Sequence, residues 1–359
     1  CGPVIRGIFS ETFRTDIPAG LSSDLRPESL PPYQSKGQSK EANMSNATAA
    51  RTLPPINEAL NRKRRKARAF HDDLTSFWFL LPILALFVVL FLVPLAQTLY
   101  YSFTDFNGYS MNMHLVGLDN YKKVFSDSST LQGLGFTILY AVIVMVGVTC
   151  LAIPLAVVLN KKFIGCNFVR SLFFFFSVPS LAIMGMVWKY IFSPMKTGVV
   201  NSVLSIFGID PIPWLSNNAL AKFCVIFIAI WAQIGWHATL YLAFLQAIPA
   251  DLYEQATVDG ANKWQQFLHI TLPQLMPGIV TSTFLLMSGG LKVYDLPYTM
   301  TKGGPGYSTY TVTQSIIQQG IGQSQYGIGS ALAVLFFVAT GVVVFLQMGI
   351  SNLISRRFQ

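Results

Sequence analysis

Ile248-Pro249-Ala250-Asp251-Leu252-Tyr253-Glu254-Gln255-Ala256-Thr257-Val258-Asp259-Gly260-Ala261-Asn262-Lys263-Trp264 is a polar stretch set between two uncharged apolar runs, Phe223 to Ala250 and about Leu275 to Leu291. Asp251 is placed to cap a helix, and Glu254, three residues on, completes the signature of a capping box. Gly260 then stops that helix as a left-handed residue just past its end. A second short helix is expected from Asn262 to Ile270, carrying Trp264, Phe267 and Leu268 and ending before Pro273. Two short amphipathic helices joined at a glycine, held between long apolar segments, are expected to dock a partner.

The apolar runs on either side belong to a series. A bilayer core takes about 20 apolar residues of helix. Such runs fall at Phe77 to Tyr101, Ser128 to Asn160, Ser171 to Trp188 (extendable to Phe192), Phe223 to Ala250, Leu275 to Leu291, and Tyr326 to Ile350. Each is too long for a strand of a small barrel. The expected fold class is therefore all-α integral membrane, with six transmembrane helices. Composition agrees: 52% of the 359 residues are hydrophobic and 11% charged, against about 25% charged in soluble domains.

The net charge of +9 comes from 25 Lys and Arg against 16 Asp and Glu. Its densest cluster, Arg62-Lys63-Arg64-Arg65-Lys66 with Arg68, lies just before the first apolar run, which makes it a topology signal. With the N-terminus inside, Lys161, Lys162, Arg170, Lys263, Arg356 and Arg357 join that cluster on the cytoplasmic side. The outer side then holds fewer, among them Lys122, Lys123, Lys292 and Lys302. Both termini are expected in the cytoplasm of a multi-pass membrane protein. No nucleic-acid partner is implied.

The organisation that follows is a low-complexity N-terminal segment over 1–60, a basic cytoplasmic segment over 61–76, a six-helix domain over 77–350 with its cytoplasmic loop at 249–273, and a cytoplasmic tail over 351–359. Residues 1–60 are rich in Pro, Ser and Gly without periodicity. Two readings stand: a disordered tail, or an upstream extension with the natural start at Met44.

The chain shows no catalytic constellation. It has no GxxxxGK[ST] loop, HExxH, GxSxG or DDxxD, and His71, His114, His237 and His269 are scattered. The run Thr301 to Gly306 follows no strand and reads as a turn at a helix end. Cys1, Cys150, Cys166 and Cys224 have no regular spacing, so neither a disulfide framework nor a metal site is implied.

The pattern Glu254-x-Ala256-x-x-Asp259-Gly260, then nine residues, then Ile270-x-Leu272-Pro273 resembles the EAA loop of permease subunits of bacterial ATP-binding-cassette (ABC) importers. One position departs: Gln255 stands where that pattern has Ala. Three further segments resemble the carbohydrate branch, near the maltose, multiple-sugar and glycerol-3-phosphate permeases. They are Ser102-Phe103-Thr104-Asp105, Val116-Gly117-Leu118-Asp119-Asn120-Tyr121, and Tyr294-Asp295-Leu296-Pro297-Tyr298 continuing to Pro305. The resemblance covers about Leu74 to Arg357. It implies a type I importer permease fold, with Glu254, Ala256, Asp259, Gly260 and Ala261 forming the helix that couples to an ATPase. Glu254 would pair with a basic residue of that ATPase; the capping box is its alternative role. Asp259 is expected to hold the turn through backbone N–H groups, and Gly260 to make it.

The partners implied are a second homologous permease, two cytoplasmic ATPases, an extracytoplasmic solute-binding protein and membrane lipid. No cofactor is implied on this chain; ATP and Mg belong to the ATPases, so the chain is not itself an enzyme.

Candidates for the solute path come from the residues themselves. Trp231, Gln233, Trp236, His237 and Tyr241 form a polar-aromatic cluster, with Trp231 and Tyr241 expected on similar faces and Gln233 and His237 sharing one. Tyr294 and Asp295 are further candidates, and Lys292 is expected to pair with Asp295. The alternative role for the cluster is interfacial anchoring and ordinary packing. A phosphate substrate would need Arg or Lys clamps, which favours a neutral sugar over glycerol-3-phosphate. A secondary transporter is the alternative class; it predicts broken helices and internal repeats.

Overall fold

The computed structural model of the chain describes residues 78, 80–110, 112–161 and 163–358. The N-terminal extension, the Met44 start and the basic segment 61–76 lie outside these residues. All regular structure among the described residues is helical, apart from one bridge between Thr104 and Leu115. In chain order the helices are α1 (Leu80–Tyr101), α2 (Asp119–Ser126), α3 (Ser128–Leu159), α4 (Cys166–Phe175), α5 (Leu181–Ile191), α6 (Val199–Ile206), α7 (Asn218–Gln246), α8 (Ala250–Val258), α9 (Lys263–Leu291), α10 (Asp295–Thr301), α11 (Val312–Ile317) and α12 (Tyr326–Phe358).

Five of these, α1, α3, α7, α9 and α12, are long and apolar enough to cross a membrane. The remaining run, expected as one helix from Ser171, is two pieces of 10 and 11 residues. At about 1.5 Å per residue each piece covers roughly half of a 30 Å hydrocarbon core. Pro179 explains the break. It removes an N–H and pushes Val178 out of the helical region. Ser180 then caps α5 by accepting from Ile183 N–H at 3.4 Å.

The opposite correction applies to α9. The second loop helix does not stop before Pro273; it continues to Leu291 through a π-turn at Phe267–Thr271. The wider turn accommodates the proline's missing donor within the helix. The same device precedes Pro94 in α1, where Val88–Leu92 is π-helical. The segment 351–359, expected as a tail, is helical as far as Phe358.

The core lies where α3, α7 and α9 meet. Phe136, Tyr140, Val144, Val148, Ala152 and Ala156 of α3 recur every fourth residue and are buried, which makes one face. In lipid, apolar burial gives little drive for helices to associate, so close packing carries the contact. Small residues make it possible: a methyl added at Gly290 of α9 would sit 2.9 Å from Ala141 Cα. No residue in the most apolar window of α1 is buried, which leaves that helix facing lipid or another chain.

Candidate functional site

Helix α8 and the first turns of α9 form a helix pair joined at Gly260. Helix α8 begins after Pro249, which makes no side-chain cap. The expected Asp251–Glu254 box is therefore not formed. Proline fixes the entry one residue earlier, and Asp251 falls inside the first turn, where its charge favours the helix dipole. Gly260 adopts φ +81°, as its role in the turn requires. Ala261 N–H donates to Ala256 carbonyl at 2.9 Å and Gly260 N–H to Thr257 carbonyl at 3.1 Å. The capping box sits on the other side of the turn. Asn262 Oδ1 accepts from Gln265 N–H at 2.9 Å, and Gln265 Oε1 accepts from Asn262 N–H at 2.8 Å.

Side chains lock the pair. Gln266 Nε2 donates to Thr257 Oγ1 at 3.0 Å and to Ala261 carbonyl at 3.2 Å. The hydroxyls of Tyr253 and Thr271 lie 2.9 Å apart. Ala256 and Ala261 are half-buried. Asp251, Glu254 and Asp259 are exposed, and among the described residues their carboxylates make no hydrogen bond or ion pair. Asp259 thus does not hold the turn, which the main chain closes by itself. Val258 is 89% and Trp264 67% exposed. The pair presents three free carboxylates and two apolar side chains on a body continuous with α9.

A second feature lies where α4 and α5 break beside α7. Gly235 lets the chains approach: a Cβ there would collide with the Phe173 carbonyl. Ser177 Oγ accepts from Trp236 N–H at 3.2 Å. A cleft of about 150 Å³ opens against Ser177 and Pro179, lined on α7 by Gln233, Trp236 and His237. Gln233 and His237 share a face, as their spacing implied. His237 Nδ1 lies 2.7 Å from Ser282 Oγ. Trp231 closes on the break, 4.5 Å from Phe176 and 5.4 Å from Trp188 between ring centroids.

Tyr241 is not part of this cluster; it is fully buried in the core. Ten residues fall about 80° short of three turns, so it points elsewhere than Trp231. Tyr294 and Asp295 lie beyond the end of α9 and do not reach the cleft. Tyr294 stacks on Tyr298 at 4.9 Å. Asp295 is exposed and forms no ion pair with Lys292 among the described residues.

A larger cavity, about 680 Å³, lies beside the first turn of α3. Its lining includes Lys123, Asp127, Tyr298, Lys302, Tyr307, Tyr310, Gln314, Gln318 and Gln319. Asp127 accepts from Thr130 Oγ1 at 2.6 Å, Ser129 Oγ at 2.7 Å and Gln319 Nε2 at 2.7 Å. Partial burial works against its charge, but the bonds from Thr130 and Ser129 outweigh it and hold the carboxyl below the usual aspartate range. Burial pushes the Tyr310 phenol up to about 12. From sequence, Lys123 and Lys302 figure only as outer-side charges and Tyr298 only within the segment from Tyr294 to Pro305; none is a site candidate there. A further signal is the series of glutamines at 314, 318, 319, 323 and 325 inside an uncharged stretch.

The family model described as "Binding-protein-dependent transport system inner membrane component" matches residues 148–359. The chain belongs to this family. Two curated relatives show how far the likeness reaches. A multiple sugar-binding transport system permease protein of Streptococcus mutans is 32% identical, over 78% of this chain and 97% of its own. A probable starch degradation products transport system permease protein of Thermoanaerobacterium thermosulfurigenes is 29% identical, over 79% of this chain and 96% of its own. Among solved structures, a chain of a bacterial ABC transporter involved in alginate import superposes with a TM-score of 0.69 at 23% identity, covering 82% of this chain and 99% of that one. The permease therefore has the importer fold, with five helices long enough to span and two shorter apolar ones, α4 and α5, among the described residues.

Proposed function

We propose that this permease is one of two membrane subunits enclosing the solute path of a carbohydrate ABC importer. A homologous permease supplies the other half, two cytoplasmic ATPases drive it, and an extracytoplasmic binding protein delivers the sugar. ATP and Mg stay on the ATPases, and the chain makes or breaks no covalent bond of its substrate. Both termini lie in the cytoplasm, which places the α8–α9 pair there.

The observation that carries this reading is the joint between loop and span. Glu254 and its neighbours project from α8, and the bonds of Gln266 and Tyr253 fasten α8 to α9. A displacement of the pair is thereby a displacement of α9. That helix packs on α3 and α7 and reaches His237 through Ser282. ATP-driven closure of the ATPases would move the pair, shift α9 against α7, and expose the cleft alternately to either side, with the helix bundle as the bistable element.

The cleft favours a neutral sugar. Its lining offers Trp236 for stacking and Gln233, Ser177 and His237 for hydroxyl groups, and no Arg or Lys among the described lining residues. A glycerol-3-phosphate path would need a cationic clamp there. The alternative class, a secondary transporter, has one point in its favour, the broken span, while the family supports the ABC reading.

The test is purification of the permease from its native membrane, followed by identification of what comes with it. Recovery of an ABC ATPase and a second permease is expected. A chain recovered alone, carrying out ion-gradient-driven uptake, would overturn the reading.

A further inference from the structure

We infer that the large cavity beside the first turn of α3 is a saccharide site of the permease's own, separate from the cleft at the α4–α5 break. The inference rests on the reading that this chain handles carbohydrate. Helix α9 has 29 residues, so about 43 Å separate its ends; the loop pair lies at one, and α10, which lines the cavity, follows the other. On the proposed orientation the cavity opens outside the cell, where a sugar would enter.

Size fits first. At about 680 Å³ the cavity falls within the roughly 300–1,000 Å³ span of small-molecule sites. Its lining has the two chemistries a sugar ring needs. Tyr298 and Tyr307 are 39% and 52% exposed, leaving aromatic faces for the apolar side of a pyranose. Tyr307 is braced by Tyr310, with ring centroids 5.3 Å apart at 80°.

The carboxamides supply the polar part. Gln314 Nε2 donates to Lys302 carbonyl at 2.9 Å, and Gln319 Nε2 donates to Asp127 and to Thr130. Both amides are therefore oriented by their nitrogens. Their Oε1 atoms have no partner, although the residues are only 6% and 9% exposed. Both oxygens are themselves buried, and unpartnered buried acceptors are uncommon; a rotation of either side chain would turn its oxygen toward the cavity and a hydroxyl donor. Asp127 Oδ2 is filled by Ser129, Thr130 and Gln319, and its Oδ1, reached by Ser129 N–H at 3.3 Å, is the fixed acceptor with room for a hydroxyl. At the rim, Lys123 and Lys302 have no carboxylate partner among the described residues, so a uronate ring is accommodated as well as a neutral one.

None of these residues is needed for packing at the α3–α7–α9 core. They come from α2, the cap of α3, α10, and the chain that runs from α10 through α11 into the π-turn Gln318–Gly322. A cavity assembled from four segments, with its acceptors oriented and unfilled, is organised for a ligand.

The test uses the assembled transporter in nanodiscs, without its binding protein. Saturation-transfer NMR is recorded with maltotriose and with trigalacturonate. Transfer from aromatic protons to the ring protons of at least one probe is expected. It should fall about threefold or more in Tyr307→Ala and in Gln318→Ala, two exposed positions where the fold is retained, as checked by size-exclusion elution. It should persist in Trp236→Ala, which removes the indole that lines the cleft. No transfer to either probe, or transfer unchanged by both cavity variants, would overturn the inference. ATP-driven sugar uptake by the wild-type complex is scored separately. Its absence alongside intact transfer counts against the transport reading and not against the site.

Discussion

Two interruptions of helix do different work in this molecule. The turn at Gly260 is closed by its own neighbours: two main-chain bonds at the end of α8 and a reciprocal box between Asn262 and Gln265. The gap between α4 and α5 is held from outside, by Gly235, Trp236 and Trp231 of α7. A locally closed turn keeps its shape if the whole pair moves, which suits the coupling role proposed for it. A gap held by another helix changes when that helix shifts, which suits the proposed alternating access.

The largest effect is expected where tertiary contact holds the gap. Gly235→Val drives side-chain atoms into the Phe173 backbone, and overpacking of this kind costs roughly 1–3 kcal/mol. The yield of correctly eluting protein should collapse in fluorescence-detected size exclusion. Gly289→Ala, which meets open space, should leave it unchanged. Equal behaviour of the two would remove the distinction between a crowded gap and an open helix face.

Next comes the local turn. Gly260→Val places a β-branched residue at φ +81°, at a cost of about 1–2 kcal/mol. The chain should still assemble with its partners while uptake falls several-fold. Lost assembly would mean that the turn is not self-contained. Ser177→Ala removes the acceptor for Trp236 N–H, a bond whose net worth is about 1 kcal/mol. It should lower the melting temperature slightly and alter the half-saturating sugar concentration. Asn262→Ala, the smallest, removes an exposed cap worth about 1 kcal/mol. It should raise hydrogen exchange at Trp264 and Gln265 and leave the α4–α5 region untouched.

The same contrast explains what the sequence made legible. Gly260 carries its meaning in its place between two polar helical stretches, so the glycine turn is legible from residues alone, while Ile270 and Pro273 have meaning only through the family resemblance. The capping box sits one helix later than the signature at Asp251 and Glu254 suggests, because those residues match it as well as Asn262 and Gln265 do. Only the entry through Pro249 separates them. The long spans followed from uncharged length. The break at Pro179 was hidden by the apolar residues around it, and the continuity of α9 through Pro273 by a π-turn that has no simple sequence mark. In the cleft, helical spacing gave Gln233 and His237 correctly and misplaced Tyr241. The large cavity was out of reach: its bond from Gln319 to Asp127 joins residues 192 apart, and no local pattern announces such a pairing.

The central claim is that Glu254 passes force from an ATPase to α9. Its carboxylate is exposed and has no partner among the described residues, so its removal should cost the fold almost nothing. The direct measurement is ATP-driven sugar uptake by the reconstituted importer carrying Glu254→Ala, beside its melting temperature. Uptake should fall about tenfold or more, the scale for losing one member of a charge pair buried at an interface, with melting unchanged. Uptake equal to wild type would contradict the account.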